Sequence, residues 1–144
     1  MSGLGQTLVR LGVGVFWLYF ASQKWRGVDW MRPLIVQSAE RNPLPGLHEL
    51  LAAVVAPNWH LFALAQAAGE TLVGALLLLG LFTRGAAWLG VLLAADLSLT
   101  VAFLVPDVGL RWFYYLAVLA NLAVAVSGPG ALALEGGVRR RWRR

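Results

Sequence analysis

The sequence contains no cysteine. This absence excludes disulfide bonds, thiolate chemistry, cysteine-ligated iron–sulfur clusters and c-type haem attachment. Redox chemistry in this chain would therefore need a diffusible cofactor or another subunit. The sequence also lacks a glycine-rich phosphate loop, a nucleophile elbow and zinc-ligand spacing, so these motifs offer no candidate reaction.

Charged residues are scarce as well, at 13% of 144 residues, whereas 59% are hydrophobic. One small soluble core could not bury this much apolar surface, so the composition predicts an integral membrane protein. The net charge of +5 could suggest nucleic acid, but five of the twelve basic residues lie within 139–144. At the end of a membrane protein such a cluster indicates topology and lipid contact, and we predict no nucleic-acid partner.

Long apolar runs predict four membrane-spanning helices, because roughly 20 apolar residues cross a bilayer. We expect an all-α, four-transmembrane-helix bundle that forms a single membrane domain over 1–144. The segment 46–56 is apolar on one face but too short to span, and it predicts a surface or re-entrant helix within a longer loop. The predicted segments are spans at about 4–22, 60–82, 86–105 and 111–127, an outer loop at 23–59 and a basic tail at 128–144.

An even number of spans puts both termini on one side of the membrane. The arginines in the tail place that side in the cytoplasm under the positive-inside rule, which predicts a multi-pass protein of the cytoplasmic (inner) membrane. The loop 23–59 is then extracytoplasmic and partly helical. Four cations in this loop oppose the rule, but the tail has the greater density of charge: Lys24, Arg26, Arg32 and Arg41.

Three polar residues lie within the predicted spans. Glu70 is near the middle of the second span, Asp96 is central in the third, and Asn121 lies in the fourth. Counting about 1.5 Å per residue from the span ends places them within one turn of the same depth, in one polar layer. A charge at this depth is costly without a partner, so such residues are functional candidates.

Arg10, in the first span, must reach the surface or pair with a carboxylate inside the bundle. Glu70 and Asp96 are the two candidates, and the sequence leaves the choice open. If the carboxylates lie close together, repulsion and desolvation would hold a proton on one of them, and that group could exchange protons. The alternative for Glu70 with Arg10 is an interhelical brace.

The other polar groups also have structural interpretations. Asp96 could bond to Thr100 or Ser98 or remain protonated, and Asn121 could serve packing alone. Lys24 and Arg26 suit either interface anchors or a cationic mouth for a small anion. No metal, haem or iron–sulfur cluster is predicted, since both histidines lie outside the spans.

Three stretches carry a family resemblance: RLGVGVFWLYFASQKW at 10–25, GETLVGALLLLGLFTRGAAWLG at 69–90 and SGPGALALE at 127–135. The chain resembles the DoxX/DoxD-like family of four-helix membrane proteins. Its middle section, NPLPGLHELLAAVVAPNWHLFALAQAAGETLVG, is closer to the DoxD-type branch, which is named for the membrane subunit of thiosulfate:quinone oxidoreductases. The resemblance implies that five residues occupy the recurring polar positions of the family: Arg10, Lys24, Glu70, Arg84 and Asn121.

The resemblance implies a membrane subunit of a quinone-linked redox system, with quinone as cofactor. Since the chain ends just after the fourth span, we do not expect it to oxidise thiosulfate alone. The predicted partners are membrane lipids and other membrane protein subunits or further copies of the chain. Two alternatives stay open: a non-catalytic accessory subunit of a larger complex, and a lipid- or small-molecule-binding protein.

Residue roles follow from this hypothesis, although the sequence does not decide whether the chain is an enzyme. Glu70 and Arg10 are the candidate catalytic residues, with Glu70 exchanging protons with the quinone. The candidate substrate-binding residues are Lys24, Arg26, Asn121 and Asp96.

Overall fold

The computed structural model describes residues 3–135. Within this range the chain forms helices and no β-strand, which confirms the predicted all-α class. A π-helical turn, Leu51–Val55, continues the short helix Leu47–Leu50, and a 3₁₀ turn, Ala102–Leu104, follows the helix Thr83–Thr100. The α-helices are α1 (Gly3–Trp25), α2 (Met31–Arg41), α3 (Leu47–Leu50), α4 (Trp59–Leu79), α5 (Thr83–Thr100) and α6 (Val108–Ser127).

Four of these helices are long and apolar enough to cross a membrane: α1, α4, α5 with its 3₁₀ turn, and α6. The predicted four-span bundle is confirmed, and the chain is a multi-pass membrane protein. The helices alternate in direction, so α1 begins and α6 ends at the same end of the bundle, here called the terminal end. The opposite end, where α1 ends and α4 begins, is called the loop end.

The turn between α4 and α5 contains residues 80–82. Gly80 ends α4 in the left-handed conformation, with φ of 65°, which glycine adopts without steric cost. α4 therefore ends at Leu79 and α5 begins at Thr83. Both boundaries lie a few residues before the predicted limits of 82 and 86.

α1 packs closely along α4, and α5 packs closely along α6. Two glycines permit the first contact. A β-carbon at Gly74 would lie 2.7 Å from Leu18 Cγ, and one at Gly14 would lie 2.9 Å from the Leu78 side chain. Small residues commonly allow this close approach between membrane helices. α1 and α6 touch much less, which leaves an apolar groove of about 390 Å³ between them.

The predicted short helix within 46–56 is present as α3 and its π-helical turn. The helix α2 is not predicted from the sequence, because its proline and charged residues are typical of a loop. Pro33 lies in the first turn of α2, where a backbone N–H has no partner inside the helix, so it is tolerated there. The predicted outer loop is therefore largely helical.

α2 is tied to the loop end of α5 by two buried side chains. Ser38 Oγ donates a hydrogen bond of 2.5 Å to the Thr100 carbonyl. Asn42 Nδ2 donates one of 2.9 Å to the Leu99 carbonyl. The carbonyls at the end of a helix lack partners within the helix, so these bonds complete α5 as they position α2.

Residues 128–135 fold back over the terminal end. Ala131 N donates 3.0 Å to the Gly3 carbonyl, and Glu135 N donates 3.1 Å to the Gly80 carbonyl. The first part of the predicted tail thus packs onto α1 and onto the turn after α4. The predicted arginine cluster at 139–144 lies outside the described residues.

Candidate functional site

Three large polar side chains lie on the buried face of α1 at intervals of seven residues: Arg10, Trp17 and Lys24. Seven residues make about two helical turns, so these side chains share a face and follow one another at roughly 10 Å intervals. Each is almost fully buried, and each binds a different part of the molecule. α1 therefore organises the polar groups of the bundle into three levels.

At the loop end, Lys24 and Glu70 form a buried ion pair. Lys24 Nζ lies 2.8 Å from each carboxylate oxygen of Glu70, and the side chains are 4% and 0% exposed. Gln66 Nε2 donates a further hydrogen bond of 3.0 Å to Glu70 Oε1. Short, charge-assisted hydrogen bonds of this kind offset the desolvation of a buried pair. The charge of Glu70 is thus neutralised by Lys24.

Arg10 does not bond to Glu70, so the first of the two candidate pairings of Arg10 is wrong. α1 and α4 run antiparallel, and the carboxylate of Glu70 faces the end of α1. Arg10 is fourteen residues away from Lys24, which is about 21 Å of helix. The other expected partner, Asp96, forms no bond to Arg10 either, because all three guanidinium nitrogens bond to backbone carbonyls.

Those carbonyls come from two segments that Arg10 joins at the terminal end. The guanidinium donates to the Leu77 and Leu78 carbonyls near the end of α4. It also donates to the Pro129 carbonyl at 2.9 Å and to the Leu132 carbonyl at 2.6 Å. A cation is favourable at the end of a helix, where partial negative charge accumulates. The geometry therefore makes Arg10 a bridge between α1, α4 and the segment after α6.

Asn121 lies at the middle level and joins α6 to α1. Trp17 Nε1 donates 3.0 Å to Asn121 Oδ1, and Asn121 Nδ2 donates 2.8 Å to the Ala117 carbonyl. A β-carbon at Gly90 of α5 would lie only 2.0 Å from Asn121 Oδ1, so glycine makes room for the amide. Asn121 binds Trp17, which lies two turns before Lys24 on α1, and among residues 3–135 no side-chain hydrogen bond joins Asn121 to Glu70 or Asp96. Its bonds support the packing interpretation.

Asp96 is exposed, unlike Arg10, Lys24, Glu70 and Asn121. Thr100 Oγ1 donates 2.7 Å to the Asp96 backbone carbonyl, and Ser98 Oγ donates 2.8 Å to that of Ala94. The expected bonds from Thr100 or Ser98 to the carboxylate are therefore absent, because both hydroxyls bond to the preceding turn of α5. Among residues 3–135 the carboxylate has no hydrogen-bond partner.

A cavity of about 410 Å³ lies between α4 and α5 and is covered by α2, α3 and the π-helical turn. We call it the large cavity. Most of its lining is apolar, and Asp96, Gln66, Ser38 and Thr100 are its polar residues. Its volume lies within the range of about 300 to 1,000 Å³ that is usual for small-molecule sites. This cavity is not predicted from the sequence, because its wall depends on α2.

A second cavity, of about 220 Å³, borders the ion pair and is called the small cavity. Lys24, Glu70 and Tyr114 lie in its wall together with aromatic residues of α1. The two cavities share wall residues from α2 and α5, and Gln66 of the large cavity bonds to Glu70 of the small one. Gln66 precedes Glu70 by one helical turn, which was the available sequence signal for this link. The shared wall residues are Met31, Ile35, Leu97 and Val101.

Lys24 and Arg26, the residues of the expected cationic mouth, differ in their surroundings, since Lys24 is buried and Arg26 is exposed. Lys24 is committed to Glu70, and Arg32 lies over the Trp59 ring at 5.8 Å. Arg26 borders an open surface groove that also contains Asp29. Within residues 3–135, no group of three or more histidine or acidic side chains is placed to hold a metal ion.

The fold and these contacts define a class: a four-helix, multi-pass membrane protein whose first helix holds two other spans, α4 and α6, through buried polar side chains. The DoxX family model matches residues 5–105, so the chain belongs to the DoxX family. Arg84, one of the polar positions implied by the resemblance, is exposed beside Gly128 at the terminal end. No curated protein and no solved structure matches the chain.

Proposed function

We propose that this chain is a quinone-binding membrane subunit of a redox system. The large cavity is the observation that carries the proposal. It is walled by apolar side chains from five helical segments, and its few polar groups include an unpaired carboxylate, Asp96. Ligand sites commonly combine an apolar wall with a few polar groups that orient the ligand, and a quinone has an apolar ring with polar oxygens.

The residues of the cavity fit this ligand. Asp96 and Gln66 would meet the polar atoms of the ring, while leucines and Val101 would enclose its apolar part. A bound quinone supplies a couple of two electrons and two protons. Asp96 is the group that can exchange a proton inside the cavity. Glu70 is one hydrogen bond behind Gln66, and its proton exchange would require Lys24 to separate from it.

The source of the electrons is a separate part of the proposal. The resemblance to thiosulfate:quinone oxidoreductase subunits supports thiosulfate. Two thiosulfate ions release one electron each when a sulfur–sulfur bond joins them, which balances the two electrons that one quinone accepts. In this chain Arg26 is the predicted anion-binding residue whose charge stays accessible, because Lys24 is neutralised. We therefore propose that a partner subunit supplies the thiosulfate site.

We further propose that the terminal end faces the cytoplasm in the inner membrane, since exposed Arg84 lies at that end and the arginines at 139–144 follow α6 in the sequence. The chain has no cysteine, so single cysteines can report the orientation. A membrane-impermeant maleimide should label Gln37→Cys at the loop end in intact cells and should spare Gly85→Cys. Labelling of Gly85→Cys alone would reverse the orientation.

Binding in lipid nanodiscs tests the main proposal. Ala65 and Ala68 are both exposed on α4, but only Ala65 lines the large cavity. We expect a short-chain quinone to bind the purified chain, Ala65→Phe to weaken binding at least about tenfold by filling the cavity, and Ala68→Phe to bind normally. Absence of quinone binding to the unmodified chain, or equal loss in both variants, would contradict the proposal.

The accessory-subunit hypothesis is the second candidate. It is supported by the full pairing of Lys24, Glu70 and Arg10, which is what an interhelical brace requires. Purification from native membranes distinguishes the two. A stoichiometric complex of known activity with no quinone bound to this chain would favour the accessory role, whereas quinone co-purifying with the isolated chain would favour the proposed one.

A further inference from the structure

The polar groups of the large cavity offer mainly hydrogen-bond acceptors. Its two hydroxyl groups already donate to backbone carbonyls: Ser38 Oγ to Thr100 at 2.5 Å, and Thr100 Oγ1 to Asp96 at 2.7 Å. A hydroxyl carries one proton, so neither can donate to a ligand without breaking a bond that holds α2 or α5.

The ion pair sets the orientation of the Gln66 amide. Glu70 is bonded to Lys24 through both oxygens, and an ionised carboxylate can only accept hydrogen bonds. Gln66 must therefore turn its NH₂ group towards Glu70, to which it donates at 3.0 Å. Its carbonyl oxygen is left as an acceptor, and one further N–H remains.

In its ionised form Asp96 is the strongest acceptor of the cavity, because a carboxylate accepts through both oxygens and donates nothing. Its carboxylate has two oxygens, faces the large cavity and bonds to no residue within 3–135. Together with the Gln66 carbonyl, it gives the cavity an excess of acceptors over donors. Polar groups left unpaired in a ligand site penalise a ligand that lacks the complementary group.

From this excess we infer that the large cavity, with Asp96 ionised, selects ligands whose polar head donates hydrogen bonds. The inference rests on the proposed function and deepens it. A quinone presents carbonyl oxygens, which accept hydrogen bonds, whereas the corresponding hydroquinone presents hydroxyl groups, which donate them. The site accordingly binds the hydroquinone in preference to the quinone, with Asp96 as the specificity-determining residue.

The experiment compares three probes in nanodiscs under anaerobic conditions: trimethylhydroquinone, trimethylquinone and the dimethyl ether of the hydroquinone. The ether keeps the ring and is redox-inert, but it cannot donate. Equilibrium dialysis should show the hydroquinone binding at least about tenfold more tightly than the other two, since one well-placed hydrogen bond to a charged group is sufficient for this factor.

Variants assign the preference to Asp96. Asp96→Asn can donate as well as accept, so the ratio should fall to about threefold or less. Asp107→Asn makes the same chemical change at the N-cap of α6, outside the cavity, and should leave the ratio unchanged. Gln66→Leu, which removes the second acceptor, should lower the ratio partially and provides an independent variant.

The outcomes separate this inference from the proposed function. Equal binding of the three probes, with all of it abolished by Ala65→Phe, would overturn the preference and leave quinone binding intact. Tighter binding of trimethylquinone would show that Asp96 donates a proton in the complex, and it would also overturn the inference. Failure of all probes to bind the unmodified chain would overturn the proposed function together with this inference.

Discussion

The two ends of the bundle each bury a cation of α1, but they use it differently. At the terminal end, Arg10 is 1% exposed and bonds to backbone carbonyls of two segments. At the loop end, Lys24 is 4% exposed and bonds to a carboxylate that borders one cavity and is linked to another. Burial of a charge therefore does not by itself identify a functional site. The groups that bond to the charge and the presence of a cavity beside it indicate whether the site could be functional.

The chemistry of the two cations matches this difference. A guanidinium has five N–H donors in a fixed plane, which suits several carbonyls at once. An ammonium is a compact charge that suits one carboxylate. Lys24 in turn fixes Glu70, and Glu70 fixes the Gln66 amide at the wall of the large cavity. At the loop end, a series of polar contacts thus leads to a cavity. At the terminal end, the contacts of Arg10 only join segments to one another.

The largest loss of stability is expected when the hydrogen bonds of Arg10 at the terminal end are removed. Arg10→Met should destabilise the protein by roughly 4 kcal/mol, because it removes the four hydrogen bonds by which the buried guanidinium joins α1 to two other segments. Thermal unfolding in detergent measures this. Arg26→Met removes an exposed cation just after α1 and should change stability by less than about 0.5 kcal/mol. A similar small effect for Arg10→Met would refute the bridging role.

A somewhat smaller effect is expected at the loop end. Glu70→Gln leaves the ammonium of Lys24 buried without a counter-charge and should cost about 3 kcal/mol. The double variant Lys24→Met with Glu70→Met removes both charges and should recover most of this loss, since apolar replacement of a buried pair is often neutral. A double variant as unstable as Glu70→Gln would instead indicate that the pair is a net brace. No apolar double replacement exists for Arg10, whose partners are backbone groups.

Much of the fold was predictable, because apolar length and interfacial residues are properties of each segment alone. The four spans, the short helix within 46–56 and the burial of Glu70 all follow from such local patterns. The helix α2 is not predicted, because proline and charged residues such as those around Pro33 are common both in loops and in the first turn of a helix.

The candidate site is harder to predict, because it depends on which residues of α1 lie opposite which residues of α4. Glu70 needed a cation, and the sequence offered Arg10 inside the first apolar run and Lys24 at its end. Arg10 was the more conspicuous choice, but the antiparallel packing of α1 and α4 brings Lys24 to the carboxylate. The large cavity forms where α2 and the π-helical turn cover α4 and α5. This packing cannot be predicted from the sequence of any one of these segments.

The smallest change in stability is expected for Asp96 in the large cavity, in contrast to Arg10 and to the Lys24–Glu70 pair. Asp96 forms no side-chain bond within residues 3–135, so Asp96→Asn should alter the unfolding free energy by no more than about 0.5 kcal/mol. The same variant should reduce the preference for hydroquinone, because it replaces a pure acceptor with a group that also donates. A loss of more than about 1.5 kcal/mol would instead show that Asp96 is a structural residue like Arg10. If Asp96→Asn leaves the unfolding free energy unchanged but alters the ligand preference, then Asp96 serves ligand binding in the large cavity. The Lys24–Glu70 ion pair would then be the group that stabilises the loop end.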